Sequence, residues 1–205
     1  MPTNDPMEYH AFLRSRRSIR RFQSQPIPED AVDRMLATAV CGPSAHNRQP
    51  WRFCVLKSPG ARSRLADAMA ADFRRDLLAD DLPIADVNTR VEQSRSRIVS
   101  SPLVIVLCMD MSEMDTYPDA RRQEAERIMA MQSTAAAGLQ LLLAAHAEGL
   151  GSVWTCGPLF APQVVQQALG LDGAWEPQAM FFIGQPEQPP REKTIKSLES
   201  VVRIY

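Results

Sequence analysis

The apolar positions of the chain repeat with two different periods. Downstream of Pro28, residues Val32, Met35, Leu36, Ala39 and Val40 fall at i, i+3, i+4, i+7 and i+8, which predicts an amphipathic helix. Pro28, Glu29 and Asp30 mark its first turn, and Gly42-Pro43 ends it. WRFCVLK, from Trp51, is short, aromatic and β-branched between turn residues and reads as a strand. In PLVIVLCMD the apolar run over 103–109 is unbroken, which predicts a strand buried on both faces.

Between these strands lie two charged helical stretches separated near Pro83. Their apolar content is too low for a core of their own, so residues 60–98 read as an excursion covering a site. A long helix is predicted over 119–148, polar at its start, apolar nearly all round over 135–147, and closed by Gly149. A strand GSVWTC, a helix over 161–169, a strand AMFFIG and a proline-rich arm over 186–205 follow. About four strands alternating with helices predict one layered α+β or α/β domain. The all-round apolar stretch in the long helix points to burial in the domain centre or against a second subunit.

Composition narrows the function classes. With 205 residues, 45% hydrophobic and 23% charged, the chain can bury one substantial core. No membrane-spanning run or secretory h-region is expected, and the expected compartment is the cytoplasm. Cys41, Cys54, Cys108 and Cys156 have no C-x-x-C spacing, which predicts reduced, mostly buried thiols. His10, His46 and His146 lie far apart without a companion ligand at i+4, so no metal site is expected.

Against a formal net charge of -1, Arg14, Arg16, Arg17, Arg20 and Arg21 place five arginines within eight residues. Three readings are open from the cluster itself. It is a nucleic-acid patch, which the pI of about 6.3 and the lack of a recognition motif disfavour. It is a solvated helix end. Or it is a pocket in which guanidinium forks and the Ser18 hydroxyl hold one small phosphate-bearing ligand. A second stretch, CGPSAHNRQPWRF, is a turn-rich loop between a helix and a strand, where exposed polar groups are readily aimed at a ligand.

RRSIRRF, PSAHNRQPWRF and GLGSVWTCG, in this order, resemble the R-R-S-x-R, P-S-x-x-N-x-Q-P-W-x-F and G-x-G-x-x-W motifs of the flavin-dependent nitroreductase family, over nearly the whole chain. The 117–165 stretch and WEPQAMFFIGQPEQP look closer still to the nitroreductase-like C-terminal domain of the bacterial enzyme that adds the glutamate tail of the deazaflavin cofactor. The ligase domain of that enzyme has no counterpart here, so no ligation is expected.

The resemblance implies a three-layer α/β/α domain with a central, mostly antiparallel sheet, working as a homodimer with FMN between subunits. Arg16, Arg17, Ser18 and Arg20 would meet the FMN phosphate, ribityl chain and ring edge, which selects the phosphate pocket among the three readings. Arg191 would return to the same phosphate from the tail, with Lys193 or Lys196 as substitutes. Ile195 and Ser197 stand where many relatives carry a basic residue and a proline. Ser44, Ala45 and Asn47 would reach the flavin from the other subunit, and Thr155, Cys156 and Gly157 would line the ring, a backbone N–H facing the nitrogen that accepts hydride. The implied activity is ping-pong oxidoreduction from NADH or NADPH to an organic acceptor, with no compulsory acid or base side chain. The alternatives are reduction of a deazaflavin precursor and flavin or deazaflavin binding without turnover.

Individual side chains have plainer readings too. Cys156 lacks an activating histidine and reads as a small buried packing residue. Trp51 and Trp154 read as core or interface aromatics. His46 faces either pocket or solvent. Arg74, Arg75 and Asp76 are candidate contacts to a substrate beneath the excursion, whose other charges form a solvated face.

Overall fold

A computed structural model describes residues 5–190 and 192–205. The chain runs α1 (Pro6–Ser15), α2 (Glu29–Ala39), β1 (Trp51–Leu56), α3 (Pro59–Ala79), α4 (Ile84–Ser100), β2 (Leu103–Asp110), α5 (Ala120–Ala147), β3 (Gly151–Thr155), α6 (Gly157–Phe160), α7 (Pro162–Leu169), β4 (Trp175–Gly184) and α8 (Leu198–Val201). The strands form one sheet in the order β1-β2-β4-β3, with every neighbouring pair antiparallel. Among the described residues the one parallel element is a bridge between Ser18 and Ser152, which lays the arginine segment along the edge of β3.

β2 explains the layering. Leu103, Ile105 and Leu107 bury against Val32 and Met35 of α2 and Ala137 and Leu141 of α5. Val104, Val106 and Cys108 point the other way, into a core with Leu65, Ala66 and Met69 of α3, Ile98 of α4 and Val165 of α7. Side chains alternate along a strand, so an unbroken apolar run supplies both faces of a three-layer α/β/α sandwich. The 60–98 region is therefore part of the domain's core structure, because its few apolar residues complete the second core. A smaller cluster of Leu77, Val87 and Val91 closes the α3–α4 hairpin.

Local chemistry sets the element ends. Asp5 caps α1 by accepting from Met7 N at 2.9 Å, Ser58 caps α3 through Ala61 N at 3.1 Å, and Asp119 caps α5 through Arg122 N at 3.0 Å. α5 ends where Gly149 adopts φ +72°, a conformation glycine takes without a Cβ penalty. At Gly138 the missing side chain has a packing role. A Cβ there would overlap the Trp154 ring and come within 3.0 Å of Leu107 Cδ2. α5 thus sits on the sheet through a notch filled by the indole.

β4 begins at Trp175, four residues before AMFFIG, and its first half pairs with β2 across a register shift between Leu107 and Cys108. Pro177 is accommodated opposite Cys108 at that irregularity. α5 is long and apolar enough to cross a membrane, but Ala137, Leu141 and Ala145 are fully buried in the protein core. Its other face leaves Ile128 and Leu139 exposed, at 42% and 51%. The expectation of mostly buried thiols is corrected: only Cys108 is buried, Cys54 is half-buried, and Cys41 and Cys156 are exposed.

Candidate functional site

The arginine segment is extended chain held at three places. Ile19 N donates to Ser152 O at 3.0 Å, Gln23 N to Gln185 O at 2.9 Å, and Glu187 N to Arg21 O at 3.1 Å. Its side chains therefore project from a backbone fixed to the sheet and to the start of the C-terminal arm. They line a cleft of about 1090 Å³. The opposite walls are the polar face of α4, with Thr89, Glu92, Gln93, Ser96 and Arg97, and the arm at residues 188–190, Glu192 and Lys193.

Arg16 is half-buried, and its Nη1 is buried with no hydrogen-bond partner. Arg17 turns back on α1, its Nη1 donating to the carbonyls of Arg14 and Arg16, the latter at 2.9 Å. Ser18, Arg20 and Arg21 are exposed. Among the described residues none of Arg14, Arg16, Arg17, Arg20, Arg21, Arg97 or Lys193 has a carboxylate partner, whereas Arg34, Arg48, Arg52, Arg75, Arg95, Arg122 and Arg127 are all ion-paired. The described residues thus set six cations, Arg16, Arg17, Arg20, Arg21, Arg97 and Lys193, in one cleft against two carboxylates, Glu92 and Glu192.

Behind the cleft, His146 of α5 stacks on Phe12 with ring centroids 4.8 Å apart, and its Nε2 lies 2.7 Å from Ser15 Oγ. These contacts dock α1, which the sequence reading did not contain. Burial, and secondarily the Arg16 charge, push the His146 imidazole below its ordinary pKa, against a hydrogen bond to the Phe12 backbone.

The second group, residues 44–49, is built differently. His46, Asn47 and Gln49 all have positive φ, at 49°, 54° and 50°. Such a run of left-handed non-glycine residues is strained and persists only where the surroundings hold it. Ala45 N donates to Ser133 Oγ at 3.1 Å, Gln49 N to Ser44 Oγ at 3.1 Å, and Gln49 Nε2 to Asn47 Oδ1 at 3.2 Å. Arg48 is ion-paired with Asp115. Arg52 donates to the Gln49 carbonyl at 3.1 Å and meets Asp110 Oδ2 at 2.9 Å. Burial alone would raise the Asp110 carboxyl, but hydrogen bonds from Ser112 and the Arg52 guanidinium outweigh it and hold the pKa low. Ser44 and Ala45 are half-buried, and His46 and Asn47 face solvent.

The third group ends β3. The Thr155 hydroxyl donates to Met180 O at 3.0 Å, so its proton is engaged within the sheet. Gly157 packs on Met69 of α3, where a Cβ would meet Cε at 3.2 Å. Cys156, read as a buried packing residue, is exposed, and its sulfur accepts from Trp154 Nε1 at 3.2 Å. Trp51 is buried, and Trp154 packs edge-on against Phe181 at 5.0 Å. Cys156 lies four positions beyond Ser152, roughly 13 Å at the rise of a strand.

Within one chain these three groups do not share a cavity: neither residues 44–47 nor 155–157 line the arginine cleft. Arg191 lies outside the described residues. Lys196 and Ile195 are exposed. Arg74 donates to Asn88 Oδ1 at 2.7 Å and Arg75 pairs with Asp72 and Asp76, so these side chains are engaged along the α3–α4 hairpin. Sequence reasoning missed the cleft wall on α4. Thr89, Gln93, Ser96 and Arg97 recur at near-helical spacing on one face, a signal present in the sequence but submerged in the surrounding charge.

Residues 13–185, from the end of α1 to the residue after β4, match the Nitroreductase family. The chain belongs to the nitroreductase family. A nitroreductase-family relative from Methanothermobacter thermautotrophicus, named for NADH dehydrogenase and NAD(P)H nitroreductase activity, is 30% identical over 143 residues, which cover 70% of this chain and 58% of that protein. The 5,6-dimethylbenzimidazole synthase of Rhodospirillum rubrum is 31% identical over 207 residues, covering 92% of this chain and 85% of its own length. A Desulfovibrio desulfuricans protein solved in complex with FMN has the same nitroreductase fold, with a TM-score of 0.73 at 24% identity and 99% of both chains covered.

Proposed function

We propose that this nitroreductase-family chain is an FMN-dependent oxidoreductase of the cytoplasm that acts as a homodimer, moving electrons from NADH or NADPH to a small organic acceptor. The observation that carries the reading is Arg16, whose buried Nη1 lacks an acceptor in a cleft of unpaired cations. A buried charged donor left unmade is costly, and a phosphate oxygen supplies the missing partner. The donor set suits a phosphate monoester: Arg16, Arg17, Ser18 and Arg20 on one extended segment, with Lys193, and Arg191 beside it in sequence, on the arm. The Desulfovibrio desulfuricans protein of the same fold, with FMN bound, supports the choice of phosphate ester.

FMN held there would supply the two-electron hydride chemistry that links a nicotinamide donor to the acceptor in a ping-pong cycle. The chain's own tasks are binding and orientation. The arginine segment holds the anionic end, and β3 leads from Ser152, beside Ser18, to Thr155, Cys156 and Gly157 at the ring end, where backbone N–H groups orient the accepting nitrogen. The polar face of α4 walls the cleft opposite the arginine segment, at the phosphate end.

Dimerisation is supported by the apolar surface that one chain leaves open: Ile128 and Leu139 on α5, and Ile195, Leu198 and Val201 in the C-terminal arm. A second copy covers these residues and brings Ser44, Ala45 and Asn47 of the partner subunit to the flavin. The test is the absorbance spectrum of the purified protein before and after FMN reconstitution, followed by anaerobic mixing with NADH and NADPH and by sedimentation. A flavin spectrum that bleaches with a nicotinamide, in a dimer, is the expected result. Colourless protein that takes up no FMN overturns the reading. A flavin that resists bleaching assigns binding without turnover, and tight binding of a deazaflavin together with turnover of its dehydro precursor assigns that precursor as substrate.

A further inference from the structure

We infer that Glu126 of α5 is a positioning residue for the 44–49 loop, acting through Asp115 and Arg48. Its bearing on catalysis rests on the flavin reading above, in which that loop reaches the cofactor. Glu126 is 0% exposed, in the first third of a helix whose Arg121, Arg122 and Glu124 are exposed, and it has no ion-pair partner among the described residues. Its Oε1 accepts from Asp115 N at 3.1 Å, and its Oε2 has no partner. Burying an acid with one oxygen left unpartnered is unfavourable, so its retention calls for a role.

The contacts supply one. The Glu126 hydrogen bond fixes the backbone of Asp115 in the connection between β2 and α5. The Asp115 carboxylate then grips Arg48, which stands between Asn47 and Gln49, both left-handed. The same helix reaches the loop a second time two turns further on, where Ser133 Oγ accepts from Ala45 N and donates to Met129 O at 2.7 Å. α5 thus holds both ends of a strained segment, one end directly and the other through a buried acid and a surface ion pair.

The test is amide hydrogen exchange over residues 44–49 in the full chain without added flavin, for wild type, Glu126→Leu, Glu126→Gln, Arg48→Ala and the Glu126→Leu/Arg48→Ala double variant. Glu126→Leu and Arg48→Ala are each expected to speed exchange of the loop roughly tenfold, by local opening. The double variant is expected to exchange no faster than the faster single, and Glu126→Gln, which keeps a carbonyl acceptor, to stay close to wild type. In FMN-loaded protein Glu126→Leu, Arg48→Ala and the double variant are expected to shift the visible flavin band alike, and Glu126→Gln to leave it in place. Loop exchange unchanged in Arg48→Ala, additive effects in the double variant, or a lowered Tm in Glu126→Leu with the loop unaltered would overturn the inference. Arg48 is on the surface, so its variant decides the matter even if Glu126→Leu does not fold. Wild type that binds no FMN but shows this exchange pattern sinks the functional reading and leaves Glu126 as the loop's positioning residue.

Discussion

Residues 14–21 and 44–49 both present polar groups on irregular chain, and they are built in opposite ways. The first has a relaxed, sheet-anchored backbone carrying cations without carboxylate partners, one of them, Arg16, with a buried donor that has no acceptor. The second has a strained backbone whose side chains are nearly all partnered within the protein. Unmade hydrogen bonds mark where a ligand supplies the missing half, and stored strain marks where the protein has fixed a shape in advance. A site assembled from both needs a ligand for its charge and none for its geometry.

Substitutions sharpen or break that contrast. The largest effect is expected from Arg16→Ala: loss of charge-assisted bonds worth about 1.5–3 kcal/mol weakens FMN binding roughly 10- to 100-fold by fluorescence titration, with riboflavin affinity unchanged. Equal losses for both ligands would place Arg16 away from the phosphate and break the contrast at its first half. Ser133→Ala removes the acceptor of Ala45 N and is expected to cost about 1–2 kcal/mol in urea unfolding, a loss borne by the apo protein. Gln49→Gly relieves a left-handed residue and is expected to stabilise the fold by roughly 0.5–1 kcal/mol, while loosening the loop in hydrogen exchange. A destabilised Gln49→Gly would mean that the loop is not strained.

The smallest effects are in pH dependence. The folded pKa of His146 is lowered, so its contribution is fully present above the unfolded value of about 6.5 and is lost as pH falls through the folded pKa. His146→Gln is expected to flatten Tm against pH below about 6.5. FMN phosphate bound at Arg16 is expected to weaken the same slope by offsetting the charge that disfavours the imidazolium. Asp110 behaves likewise at lower pH: its stabilisation is complete above about 3.9 and disappears as pH falls through its depressed folded value, so Asp110→Asn removes that acid limb.

Periodicity made most of the scaffold legible. The double-faced burial of β2, the span of α5 and the break at Pro83 follow from apolar spacing and capping residues alone. α1 was not legible because what docks it is remote: Phe12 and Ser15 meet His146 across more than a hundred residues of sequence. The first half of β4 was hidden by Pro177, which an interior strand admits only at an irregularity set by its partner. The left-handed residues of the 44–49 loop contain no glycine to announce them, and Glu126 looked like part of a solvated helix start. Cys156 was misplaced because exposure at a strand end depends on what the neighbouring helices leave uncovered.

The notch at Gly138 has a reach beyond packing. The indole that fills it also donates its N–H to the Cys156 sulfur, so one carbon atom added on the helical layer would be felt at the thiol beyond the far end of β3. Position 138 is thereby tied to the strand tip through a single indole, apart from every residue of the cationic cleft.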